Sequence, residues 1–82
     1  MTREEVIQKV NTFLIEEIEI EENLLKEDAL LKEELGIDSL DFVDIVVIVE
    51  RYFGFKIKPE EMSNVRTLSQ FYDYVYQQVN KK

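Results

Sequence analysis

The 82-residue sequence predicts an all-α fold, a small four-helix bundle with a long loop between helices 1 and 2 and a short third helix. Three observations predict it. Two capping boxes, Thr2-Arg3-Glu4-Glu5 and Thr67-Leu68-Ser69-Gln70, each precede apolar residues at helical spacing. Asp38 and Gly54 frame a long apolar segment as its natural start and stop. Pro59-Glu60-Glu61 has the form of a further helix start, with proline first and acids in the first turn. The length suits one domain, residues 1–82, and leaves no room for a second core.

The first helix is expected from about Thr2 to Glu17, with Val6, Ile7, Val10, Phe13 and Leu14 on one face. Ile18 to Asp38 reads as a Glu-rich connection held to the core by Ile20, Leu24, Leu25, Leu30, Leu31 and Leu35. It contains a short helical turn that ends at Gly36. The second helix opens at Asp38-Ser39-Leu40-Asp41 and runs to about Phe53. Ile45-Val46-Val47-Ile48-Val49 has strand propensity, but the cap, the length of the segment and the lack of a partner strand favour helix. The last helix places Leu68, Phe71, Tyr72, Val75, Tyr76 and Val79 on one stripe.

Composition narrows the chemistry. The sequence holds no cysteine and no histidine. That removes disulfides, thiolate and imidazole metal sites and the commonest general base, so no metal site is expected. The amino-terminal residues do not resemble a signal peptide and no segment could span a bilayer, so a cytoplasmic, monomeric protein is the expectation. The formal charge of -8 is unevenly spread. Glu16 to Asp44 carries twelve acidic residues against Lys26 and Lys32, whereas the rest of the chain is slightly basic. Such a field disfavours nucleic acid and anionic membrane and favours proteins with basic patches.

At about 100° per residue, Phe42, Ile45, Val46, Val49 and Phe53 project to one side of the second helix, the expected core side. Leu40, Asp44, Val47 and Arg51 project to the other, with Asp41, Val43, Ile48 and Glu50 at the margins. A domain this small cannot cover both sides. Apolar residues rimmed by carboxylates on a surface helix mark a protein-docking face, unless the acidic loop folds over them or a second copy covers them. Ser39 falls at the first helical position, where free amides and the helix dipole favour a phosphate. Alone, that placement equally suits an ordinary helix start.

The extended pattern is more specific. Asp28-Ala29-Leu30-Leu31-Lys32-Glu33-Glu34 leads into Leu35-Gly36-Ile37-Asp38-Ser39-Leu40-Asp41. Then come an apolar helix ending Glu50-Arg51-Tyr52-Phe53-Gly54-Phe55-Lys56-Ile57, Pro59-Glu60-Glu61, and Thr67-Leu68 through Tyr74. This order closely resembles the acyl carrier protein family over nearly the whole chain. The resemblance implies that Ser39 carries a 4′-phosphopantetheine arm, delivered from coenzyme A by a phosphopantetheinyl transferase (a holo synthase). It implies that Asp38 helps place the magnesium ion of that transfer. It further implies a non-catalytic carrier that presents acyl thioesters to fatty-acid or polyketide-type enzymes with basic patches, docked by Asp38, Leu40, Asp41, Val43, Asp44 and Val47.

The sequence departs from the family at two places. Arg51, Lys56 and Lys58 stand where acidic residues are usual, so docking by that end is not carried over. Phe42 replaces a smaller residue on the core side, where it would narrow a cavity for cargo and favour a short acyl chain. A self-contained serine enzyme lacks a base for Ser39, and a calcium sensor lacks an Asp-x-Asp-x-Asp-Gly loop. An aminoacyl or peptidyl carrier and an unmodified acidic interaction module both remain open at this stage.

Overall fold

A computed structural model describes residues 1–62 and 64–80, with the side chains of Ser39 and Pro59 outside the described set. Its helices are α1 (Arg3–Glu16), α2 (Ser39–Phe53), α3 (Pro59–Met62) and α4 (Leu68–Val79). Among the described residues the only extended pairing is one antiparallel bridge between Leu30 and Thr67, so the all-α expectation holds.

Both capping boxes form. Thr2 accepts from the Glu5 amide while Glu5 returns to the Thr2 amide, and Thr67 and Gln70 do the same at α4. Each box satisfies two backbone donors that the first helical turn would otherwise leave unpaired. Gly54, with φ of 78°, closes α2 in the left-handed region that glycine enters without strain.

The core is built from one stripe of each long helix: Val6, Val10, Phe13 and Leu14 of α1, Ile45, Ile48 and Val49 of α2, and Leu68, Phe71, Tyr72 and Val75 of α4. Ile20, Ala29, Leu35 and Ile37 of the α1–α2 loop complete it, with Ile57 and Met62. Tyr72 is the ionisable member. Its hydroxyl donates to Asn11 Oδ1, and burial pushes its pKa up to about 12.

The loop is held to the start of α4 through its backbone. The Leu31 amide donates to the Arg66 carbonyl at 2.9 Å, Leu68 to Ala29 at 2.9 Å and Ser69 to Glu27 at 2.8 Å. Arg3 adds a charged clasp, reaching Asp73 at 2.9 Å and Glu27 at 3.0 Å. A 3-10 turn spans Glu22–Leu24, and a hydrogen-bonded turn from Leu30 to Leu35 runs into Gly36 at φ 69°.

Three sequence expectations change. Leu24 and Leu30 are exposed, and Ala29 and Ile37 hold the loop where those leucines were expected to. Backbone pairing with α4 orients this segment and overrides what its apolar pattern suggests. Tyr76 is also exposed, at the edge of the α4 stripe. On α2, Ile48 is buried at 5% exposure, whereas Phe42, Val46 and Phe53 are only half-buried. At about 100° per residue the buried arc is turned by roughly 60° from its projected centre, toward Ile48 and away from Phe42.

Candidate functional site

The start of α2 is set by Asp38. Its backbone is extended, and its Oδ1 accepts from the Leu40 amide at 2.9 Å and the Asp41 amide at 3.0 Å. The Phe42 amide donates to the Asp38 carbonyl at 2.9 Å and continues the helix. Ser39 is thereby fixed in backbone as the first residue of α2; its side chain lies outside the described residues. The amides of Leu40 and Asp41 are engaged by Asp38, so the dipole of the helix remains to favour a phosphate but these two amides do not wait free for one.

From Ser39 an apolar strip runs down the outer side of α2. Leu40 is 80% exposed, Val43 62% and Val47 53%. Asp38 and Asp44 are exposed beside it, and Asp41 is half-exposed. The acidic loop therefore does not cover this strip; Leu40, Val43, Asp44 and Val47 share the outer side of the helix by spacing, whereas Asp38 and the half-buried Asp41 lie nearer the groove side. The roll of α2 that buries Ile48 also turns Val43 further into solvent than its marginal position suggested.

The far end of α2 differs. Arg51 is exposed but paired at 2.8 Å with Glu17, the residue that caps the end of α1, joining the ends of two helices. Lys56 and Lys58 are exposed in the segment after Gly54. The strip thus begins among carboxylates, and the last turn of its helix carries Arg51.

Beside the start of α2 lies a half-open groove of about 850 Å³. Leu30, Leu31, Ile37, Met62 and Val65 give it apolar walls, Asp38 and Phe42 border it on α2, and Lys32, Glu33 and Arg66 supply charge. Sequence reasoning did not assemble this feature. Its walls come from the loop and from the segment after α3, some thirty residues apart in the chain, joined by the Leu31–Arg66 and Leu68–Ala29 backbone bonds. The one sequence signal was Phe42, which is half-buried because one side of it faces the groove while the other packs against the core.

A helix start bearing a serine, an uncovered apolar strip beside it and a groove opening at the same point form the arrangement expected of a carrier-type domain. The comparisons with known proteins agree. The family model for the phosphopantetheine attachment site matches residues 8–75. Acyl carrier protein of Thermotoga maritima is 34% identical over 74 residues, covering 90% of this chain and 91% of that one. Those of Rubrobacter xylanophilus and Phytoplasma mali are 33% and 31% identical over 75 residues, each covering 92% of this chain and 93% and 89% of theirs.

The chain belongs to the phosphopantetheine-attachment family of acyl carriers, and its prosthetic group is 4′-phosphopantetheine. The family is one of non-catalytic carriers, so a phosphopantetheinyl transferase and acyl-processing enzymes act on it. The residues present suit such a group: the groove beside Asp38 offers apolar walls for a flexible arm, with Lys32 and Arg66 among its lining. Among the described residues, no helix is long and apolar enough to cross a membrane.

Proposed function

We propose that residues 1–82 act as a single carrier domain in which the Ser39 hydroxyl bears the phosphopantetheine arm and partner enzymes dock on Asp38, Leu40, Asp41, Val43, Asp44 and Val47. The observation that carries this reading is the position of Ser39. It is the first residue of α2, directly after the capping Asp38 and directly before the exposed Leu40. A phosphodiester formed there sits at the positive end of a fifteen-residue helix. In the transfer, the serine oxygen bonds to the β-phosphorus of coenzyme A and adenosine 3′,5′-bisphosphate leaves, while the transferase takes up the serine proton. The exposed Asp38 carboxylate, whose Oδ1 caps α2, would help hold the magnesium ion used in that step.

The carrier is a substrate of its partners and needs no base of its own. The exposed leucine and valines supply the apolar contact of docking, and Asp41 and Asp44 supply orientation toward basic patches. Incubation with coenzyme A and a broad-specificity phosphopantetheinyl transferase tests the assignment. Intact mass should rise by one phosphopantetheine for the wild type and stay unchanged for a folded Ser39→Ala variant. Full modification of that variant would refute it.

A further inference from the structure

Two spaces meet at Phe42. Outside lies the groove of about 850 Å³; inside lies a void of about 10 Å³, lined among the described residues by Leu14, Leu31, Ile37, Phe42, Ile45 and Phe71. A void of that size admits at most about one water molecule. Three residues, Leu31, Ile37 and Phe42, line both spaces and form the wall between them. The loop side of this wall is fixed, because Leu31 donates to Arg66 and Ile37 donates to Leu31, both at 2.9 Å. Phe42 is its bulkiest member and stands on the helix, one turn beyond Ser39.

We propose that Phe42 is a specificity-determining residue that closes the core to the tethered cargo and seats the acyl chain in the outer groove, against Met62 and Val65. The proposal rests on Ser39 as the point of attachment. The groove opens beside Asp38, so a chain tethered at the next residue reaches it without crossing the bundle. Beyond Phe42 the interior is filled: Leu14 is 1% exposed and Phe71 2%. Close-packed interiors resist added methylenes, so entry requires the Phe42 ring to leave its place. A groove-seated chain remains open to solvent on one side, which suits short cargo or cargo that partner enzymes must withdraw readily.

The test uses the full chain loaded at Ser39 with octanoyl-phosphopantetheine, the acyl terminal methyl carrying carbon-13. Nuclear Overhauser contacts from that methyl should reach Met62 and Val65 in the wild type and be absent for Leu14 and Phe71. In Phe42→Ala they should extend to Leu14 and Phe71; Phe42→Leu, a milder change, gives the same readout if the alanine variant does not fold. Wild-type contacts to Leu14 and Phe71, or contacts to neither set, would overturn the proposal. So would an unchanged pattern in the folded variants. A wild type that gains no mass on loading would instead refute the attachment reading and the proposal with it.

Discussion

The two sides of α2 show how one helix serves stability and recognition with almost the same residue types. Ile45, Ile48 and Val49 are at most 5% exposed and join the stripes of α1 and α4. Leu40, Val43 and Val47 are at least 53% exposed. Hydrophobicity alone does not distinguish the two sets. What differs is whether neighbouring elements have surface left to offer. A chain of this length cannot wrap a helix completely, so one side stays bare and is available to partners.

Substitutions on the two sides should therefore separate stability from function. The largest effect is expected for Ile45→Ala, which leaves a cavity in the core and should cost about 2–5 kcal/mol in urea unfolding. A loss below about 0.5 kcal/mol would mean that the buried side is not packed as described. Alkaline titration sharpens the same contrast, because Tyr72 is buried while the carboxylates of α2 lie at the surface. The folded-state pKa of Tyr72 is raised from 10.0 to about 12, so its contribution is complete below pH 10 and is lost as pH rises toward 12. Melting temperature should fall across that window, and Tyr72→Phe should flatten the fall.

Asp38→Ala removes the cap and should cost about 0.5–2 kcal/mol, read by thermal melts. Asp44→Lys and Val47→Ala should change stability by no more than about 0.5 kcal/mol. Their effect belongs to docking. Asp44→Lys should slow acyl transfer by a partner enzyme through association, with the difference shrinking as salt screens charges over about 8–10 Å. Val47→Ala should weaken docking at every salt concentration. Equal rates for wild type and both variants would remove α2 from the docking surface.

Much of this was legible in the sequence because it rests on local signals. Thr2, Thr67, Asp38 and Gly54 mark helix ends through their own side chains or backbone freedom, and all four act as the sequence suggests. The uncovered strip was legible because Leu40, Asp44 and Val47 share one side of a helix by spacing alone. The roll of α2 was not. It goes with the groove, which leaves one side of Phe42 open while the buried arc shifts toward Ile48. The groove in turn depends on backbone bonds from Ala29 and Leu31 to the α4 start, and no residue pattern announces such pairing. The position of Ser39 was legible from its motif, and the groove beside it was not.

Carrier function depends on which residue becomes modified. The chain has three serines, Ser39, Ser63 and Ser69. Ser69 lies within α4, where its hydroxyl accepts from Arg3 at 3.3 Å. Fragmentation of proteolytic peptides from the transferase-loaded wild type can locate the added group directly. The prediction is a single phosphopantetheine on the peptide containing Asp38-Ser39-Leu40, with Ser39 as the bonded residue. A group located on Ser63 or Ser69, with Ser39 unmodified, would contradict it.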